Sequence, residues 1–437
     1  MPETRLEPLR WLDLPSRVSV TSSNGEPKVY FQVTGLQQTA ALCLHRPVEE
    51  LPRILSMLSP GHHLAAARAL DNLFDVEPPP LAQTMRESLR QALFYQHHLG
   101  KFFKLCSGWV NPFLTYRSRQ NLRSDLSLSA HLLSEMMQHA ALAQEAVAIL
   151  GGRSSHPITA IAGGVSRYLK EEQYPRLAQI AQSCCDFAPR LAESLHGSVL
   201  GPDGFLGAAG DVAVEPLSHL RAQSDDAQEL ALQYGRSNQT QNFSAKELWQ
   251  KVNLASEAWT YQPFSYLGEA DWPGLYSSSH EGLYMVGPLA RLSGDNELDT
   301  PLAEEERQNM IADLGSFPHF SVRAAYWALL VELIQAAEKM ADLMTLKYLT
   351  GPAIREVPQE MGQEGIAALE SPEGLICHRY QVDARGCVEN AEVLDAATQN
   401  NALRCLLAKK TVSQLWERGE AWQDEAKSRL EMVLLPV

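Results

Sequence analysis

The chain runs to 437 residues, with 37 Lys and Arg against 52 Asp and Glu and a formal net charge of −15. At 45% hydrophobic and 20% charged residues it lies in the globular range and can bury a sizeable core. The acidic excess argues against nucleic acid, whose binders need a positive face to displace counterions, and against docking on anionic lipid.

The opening MPETRLEPLRWLDLP mixes charge and proline where an export signal needs an apolar run. The longest apolar stretch, Ala324 to Val331, is flanked by Arg323 and Glu332 and falls far short of the ~20 residues a membrane helix needs. Seven cysteines at 43, 106, 184, 185, 377, 387 and 405 form no C-x-x-C pair, so buried, reduced thiols are expected. These features predict a cytoplasmic protein with no direct membrane insertion.

The first 45 residues read as strands. Arg17-Val-Ser-Val and Lys28-Val-Tyr-Phe-Gln-Val alternate in type, and Asn24-Gly25 between them is a hairpin signal. After Pro60 the period turns helical over Leu64 to Phe74 and Leu81 to Leu105, then over His131 to Leu150, closed by Gly151-Gly152. Ser166 to Leu195 is predicted helical, with Pro175 and Pro189 as breaks or kinks. Residues 200 to 320 lack a clear period and are expected to pack irregularly. Ser321 to Leu349 predicts a long amphipathic helix with Val322, Ala325, Leu329, Leu333, Ala336, Met340 and Leu343 on its apolar face. Strands at Leu375 to Val382 and Val388 to Leu394 flank an Ala384-Arg-Gly turn, and helix resumes from Thr398 to about Leu430. The fold class expected is mainly α with small β-sheets (α+β). The expected organisation is a single domain over 1–437: a β-rich part over 1–45, then a helical core over 46–437 with an irregular 200–320 region and a small sheet at 375–394.

No phosphate-binding loop, H-E-x-x-H, EF-hand loop or G-x-S-x-G occurs. Gly204, Gly207 and Gly210 lack a strand–turn–helix context and read as loop. The pairs His62-His63 and His97-His98 diverge by about 100° on a helix, so neither chelates by itself. A different metal on His45, His62, His63 or Asp71 finds no supporting spacing. Four segments stand out as specific: Gly61-His-His-Leu-Ala-Ala-Ala-Arg-Ala-Leu-Asp71, Gly152-Arg-Ser-Ser-His-Pro-Ile-Thr-Ala-Ile-Ala-Gly-Gly164, Gly282-Leu-Tyr-Met-Val-Gly-Pro-Leu-Ala-Arg-Leu292 and Glu370-Ser-Pro-Glu-Gly-Leu-Ile-Cys-His-Arg-Tyr380. Within them Gly163-Gly164 permits close backbone approach or positive φ.

In this order, from roughly Val48 onward, these segments resemble the large subunit of nickel–iron hydrogenases, above all the soluble, cofactor-coupled group. The resemblance implies a nickel–iron centre held by two C-x-x-C pairs. The first belongs in a run like R-I-C-G-x-C-P-x-x-H-H-L-A-A-A-K-A-L-D. Here Arg53-Ile-Leu-Ser-Met-Leu-Ser-Pro-Gly-His-His-Leu puts Leu55 and Leu58 at those places. The second pair belongs just beyond a segment like Leu430-Glu-Met-Val-Leu-Leu-Pro-Val437. The family's Arg in A-P-R-G-L is Glu373 here, and the acidic residue of its R-I-E-G-H motif has no counterpart around Arg17-Val-Ser.

The resemblance therefore predicts a large subunit lacking both ligand pairs, with no cofactor in this chain and iron–sulfur clusters in its partners. The expected role is a non-catalytic component of a multi-subunit redox complex that does not activate hydrogen. The expected partners are a hydrogenase-small-subunit-like iron–sulfur protein and further redox subunits, with no nucleic acid. Retained segments, including Gly287-Pro-Leu-Ala-Arg291 and Thr398-Gln-Asn-Asn401, fit a surviving scaffold. The competing expectation is an emptied cavity that binds a quinone or other small substrate, as in the complex I homologue of this fold. Arg53, Leu55, Met57, Leu58, His62, His156 and Glu373 would line it, with His62 and Glu373 as hydrogen-bonding or proton-carrying groups.

Overall fold

The computed structural model describes residues 3–9, 12, 14–35, 39–107, 130–202, 204–208, 211–214, 217–224, 227–237, 239–268, 272, 274–275, 280–294, 297–346, 350–417 and 422–437. Its first elements follow from the alternation noted above. Strands β1 (Thr4–Leu9), β2 (Ser16–Ser23) and β3 (Glu26–Val33) form an antiparallel sheet in that order. Val18, Val20, Val29, Phe31 and Val33 are buried on one face. Asn24 and Gly25 turn the β2–β3 hairpin with φ of 56° and 85°, the positive values a tight hairpin turn requires.

Short helices α1 (Thr39–Cys43) and α2 (Leu51–Leu55) lead into α3 (Pro60–Leu73) and α4 (Pro80–Cys106). Both long helices begin with proline in the first turn, where no N–H partner is lost. Next come α5 (Ala130–Gly151), the small hairpin of β4 (Ala160–Ile161) and β5 (Gly164–Val165), and α6 (Tyr174–Leu195). Helix thus starts at Tyr174, not at Ser166. Pro175 opens it instead of breaking it, and Pro189 is carried inside it.

The region from 200 to 320 is more ordered than its sequence pattern suggests. It holds α7 (Phe205–Ala208), strands β6 (Ser218–Ala222), β7 (Glu229–Gln233) and β8 (Thr240–Ser244), α8 (Ala245–Lys251), and the pair β9 (Val252–Ala255) and β10 (Phe264–Leu267). Then come β11 (Tyr284–Met285), α9 (Pro288–Leu292) and α10 (Pro301–Leu314). Strands order β11-β6-β7-β8 into a sheet too short-stranded for period-2 alternation to announce. Gly204 and Gly207 flank or sit in α7, away from any strand–turn–helix unit; Gly210 lies outside the described residues.

Helix α11 (Val322–Leu343) is capped by Ser321, whose side chain accepts the Ala324 N–H. All the residues predicted for its apolar face are buried except Leu343, yet so are Tyr326, Trp327, Leu330, Val331 and Ile334. It is a central helix hydrophobic nearly all round, packed against α4, α6 and α10. Strands β12 (Glu364–Glu370), β13 (Leu375–Val382) and β14 (Val388–Leu394) form a second antiparallel sheet, two of them at the predicted bounds. Helix α3 lies on it, and Gly365 is needed there: a Cβ would stand 2.3 Å from the Ala69 carbonyl oxygen. The predicted C-terminal helix is divided into α12 (Ala396–Gln399), α13 (Asn401–Trp416) and α14 (Trp422–Leu434); α13 and α14 cover the N-terminal sheet. Among the described residues no helix is long and apolar enough to cross a membrane.

Candidate functional site

The four segments singled out in the sequence meet around α3 and the Glu370–Gly374 turn. Asp71, near the end of α3, takes hydrogen bonds from Arg86 of α4 and from the Gly163 N–H at 2.7 Å. Arg86 also donates to the carbonyls of Ile161 and Gly164, so one guanidinium ties α3, α4 and the β4–β5 turn together. Gly163 has φ +75° and faces the Glu356 carbonyl oxygen so closely that a Cβ would stand 2.0 Å from it. Gly163→Ala should therefore lower stability by about 2–4 kcal/mol, read as a fall in thermal midpoint. A change below about 0.5 kcal/mol would contradict this packing.

His62 and His63 leave α3 in different directions, as adjacent helical residues must. His63 is fully buried, with Nδ1 2.8 Å from the Pro52 carbonyl oxygen and Nε2 2.9 Å from the Ala160 N–H. That pairing makes Nδ1 the donor and Nε2 the acceptor, a neutral imidazole; burial first, then Arg86, pushes its pKa down to about 4. His62 meets His378 of β13 at 2.9 Å, and His378 meets the Tyr380 hydroxyl at 2.6 Å. This buried chain pins α3 to the sheet.

A second cluster lies at the start of α9. Gly287, at φ +106°, opens the helix against Glu373 and Gly374. One turn later Arg291 forks onto Glu332 of α11 at 2.5 and 2.7 Å and onto Glu370 at 2.7 Å, and donates to the Ser371 carbonyl at 3.0 Å. Glu332 also accepts from His98 at 2.9 Å. Burial by itself would raise the Glu332 pKa, but the Arg291 charge, its two hydrogen bonds and His98 bring it down to about 2. Burial keeps His98 neutral, below its ordinary value, despite the carboxylate. The Thr398–Asn401 segment holds the backbone beside this cluster: Asn400 pairs with both the N–H and the carbonyl of Val286, and Gln399 donates to the Leu375 carbonyl.

The residues predicted to line a single cavity divide into three groups. Leu55 and His62 are buried, Leu55 in an apolar cluster with Leu51, Leu70 and Tyr380. Arg53, Met57, Leu58 and His156 are on the surface, with Met57 and Leu58 71% and 40% exposed. Ser56 ties their two loops together by donating to the Pro157 carbonyl at 2.6 Å. Glu373 is half-buried, accepts from Ser371, and faces His97 at 3.7 Å. His97 in turn lines a cavity of about 200 Å³ with Gln96, Lys101, Lys104, Arg404 and Val437. Sequence reasoning missed His98, Glu332 and His378 as a working set. The signal for Glu332 was a lone acid beside the most apolar run of the chain. The residues considered for another metal are not gathered: His62, His63 and Asp71 are each committed elsewhere, and the described residues hold no group of three or more His, Cys, Asp and Glu fit for an ion.

No family model matches the chain. It is 27% identical over 410 residues to a chain of the vhu F420-non-reducing hydrogenase of Methanocaldococcus jannaschii, covering 90% of this chain and 95% of that one. It is 23% identical to the iron-sulfur subunit of the F420-non-reducing hydrogenase of Archaeoglobus profundus, covering 100% and 93%. Against the beta chain of the NAD-reducing hydrogenase HoxS of Cupriavidus necator it is 24% identical, covering 80% and 74%. A chain of an NAD+-reducing NiFe hydrogenase in the H2-reduced state shares the fold at TM-score 0.81 and 21% identity, covering 100% of this chain and 99% of its own. A chain of the Ni-Fe-Se hydrogenase from D. vulgaris Hildenborough matches at TM-score 0.73 and 14% identity, covering 99% and 98%.

These likenesses correct the expectation that the chain carries no cofactor. The relatives and solved chains it matches end to end belong to hydrogenases, including enzymes named for nickel and iron, and two leucines on an ungapped alignment do not establish loss of such a centre. As donors, Leu55 and Leu58 themselves do not fit the group, because a leucine side chain has no lone pair.

Proposed function

From its place as a divergent member of the nickel–iron hydrogenase large-subunit family, we propose that this chain is the large-subunit-like component of a cytoplasmic multi-subunit redox complex and docks an iron–sulfur small subunit. The observation that carries the reading is the exposed apolar turn Met57–Leu58 between α2 and α3. Arg53 beside it is exposed, as are Arg153 and His156 on the loop bonded to Ser56. Apolar side chains rimmed by cations and donors have the anatomy of an interface core with its polar rim. The turn is rigid: Leu51 and Leu55 are buried behind it, and Ser56 is bonded to Pro157. A surface already held in its bound shape loses little entropy on docking. The likeness to hydrogenase subunits supplies the class of partner, and seven free cysteines suit a reducing compartment.

The chain's own residues thus do positional work. Helices α2 and α3 present the turn, the Arg86–Asp71 pair fixes α3 to α4, and the Arg291–Glu332 pair fixes α9 to α11. The test is to purify the complex natively through this chain and repeat it with Met57→Glu and Leu58→Glu. A stoichiometric iron–sulfur protein should co-purify with the parent chain. Each substitution should weaken its retention by about tenfold or more, with unchanged far-UV circular dichroism. A parent chain that purifies without an iron–sulfur protein, or variants that keep it fully, would overturn the reading.

A further inference from the structure

We infer that the docking surface continues from the Met57–Leu58 turn across 153–156 to Tyr168, and that the partner face it takes is acidic. The inference rests on the docking reading above and adds the extent of the surface and the charge of the partner. Sequence charge is its first ground. Residues 51–70 and 151–170 contain no Asp or Glu, in a chain with 52 acids and a net charge of −15. Both segments carry cations, Arg53 in the first and Arg153, Arg167 and Lys170 in the second. Acids return only at their borders, at Glu50, Asp71 and Glu171.

The fold brings the two segments onto one surface. Ser56 donates to the Pro157 carbonyl, which sets the turn beside Arg153–His156, four consecutive exposed residues. Backbone bonds from the Ile158 N–H to Gly151 and from the Ser166 N–H to Thr159, each 2.8 Å, carry the surface on to 166–168. A Cβ on Gly152 would stand 3.6 Å from the Arg167 guanidinium carbon, so Arg167 lies against the start of this loop. Arg167 donates to the Ala148 and Ile149 carbonyls, which places its charge at the C-terminus of α5, where a cation is favoured. Tyr168 beside it is 55% exposed while Leu169 is buried, so the ring is turned outward. Arg53 and Arg153 are exposed and form no ion pair among the described residues. Their field therefore reaches outward to whatever docks. A basic partner face would meet like charge, and an apolar one would cover both guanidinium groups without a counter-charge. An acidic face satisfies them, and tyrosine and arginine are the residue types that most often carry binding energy at such surfaces.

The experiment is a competition between full chains. Parent and variant, each with its own tag, are mixed in equal amounts with limiting extract from cells lacking this chain, at about 0.05 M and about 0.5 M sodium chloride. The ratio of iron–sulfur protein on the two tags is read from bound iron and mass spectrometry. Arg53→Glu and Arg153→Glu should each take about fivefold less partner than the parent at low salt and approach parity at high salt, because rim charges act through a screened field. Lys28→Glu, at an exposed position on β3, makes the same change in net charge and should compete evenly. Tyr168→Ala should lose about fivefold at both salts, as a packed contact does. Charge reversals that compete evenly at low salt, losses equal at the two salts, or Tyr168→Ala at parity would each overturn the inference. If Met57→Glu loses while the reversals compete evenly, the docking reading stands and the acidic face falls. If no iron–sulfur protein reaches either tag, the docking reading fails and this inference goes with it.

Discussion

Arg291→Ala should cost about 3–5 kcal/mol of stability, the usual penalty for stripping a buried ion pair of one partner. The reason is local. Arg291 is the shared counter-charge of Glu332 and Glu370, all three side chains being largely buried. Without it, among the described residues Glu332 keeps the neutral His98 as a donor, and Glu370 keeps the Ala222 N–H. Two carboxylates would then stand in a low-dielectric interior with no cation. Arg291→Lys retains the charge but loses the fork, so about 1–3 kcal/mol should go. The double variant Arg291→Ala with Glu332→Gln should recover part of the first loss, because the residual cost is an uncompensated charge and not a missing contact. Urea unfolding of the three variants checks this. An Arg291→Ala loss under about 1 kcal/mol would show the carboxylates to be satisfied by other means.

The same cluster shows what could and could not be read from the chain. Strands β13 and β14 were legible because their residues alternate and a glycine turn joins them. β12 was not, because Glu364-Gly-Ile-Ala-Ala-Leu-Glu370 alternates no more clearly as a strand than as a helix. Helix α11 was legible in position but not in burial: a periodic apolar stripe does not reveal that the other faces are covered as well. The segments holding Gly287–Arg291 and Glu370–Tyr380 stand out as specific in the sequence, Thr398–Asn401 as one that the resemblance retains, and the structure gathers them. Their partners were invisible, since Arg291 meets Glu332 41 residues away and His62 meets His378 316 residues away. Nor did the leucines at 55 and 58 warrant a conclusion about a cofactor, because whole-chain likeness to hydrogenase subunits bears on that question as directly as two positions do. What the leucines do settle is geometry: Leu55 completes a core, and Leu58 belongs to the exposed turn.

Stability should be level above pH 7 and fall as pH drops below about 6.5, the unfolded value of histidine. Buried imidazoles set the sign. His62, His63, His97, His98, His219 and His378 all have lowered pKa values, with burial the largest cause in each. The unfolded chain therefore binds protons that the folded chain refuses, and unfolding gains on folding as pH falls. For His63, held down to about 4, the contribution is present above 6.5 and is lost progressively down to about 4, on the order of 3 kcal/mol in all. Its geometry gives an independent reason: a proton on Nε2 would point at the Ala160 N–H. His62 and His378 face each other through ring nitrogens, so one added proton can be shared between them, but a proton on both rings would set N–H against N–H. Glu332 extends the trend, since its stabilisation is present above about 4.5 and is lost as pH falls towards 2. Urea midpoints should thus be level between pH 8 and 7 and decline between about pH 6.5 and 5 with a slope of more than one proton. His63→Gln, whose amide can still donate to Pro52 and accept from Ala160, should remove up to one proton, about 1.4 kcal/mol per pH unit. A midpoint that stays flat down to pH 5 would mean that these imidazoles already carry their protons in the folded state, and the buried hydrogen-bond pattern described for them would be wrong.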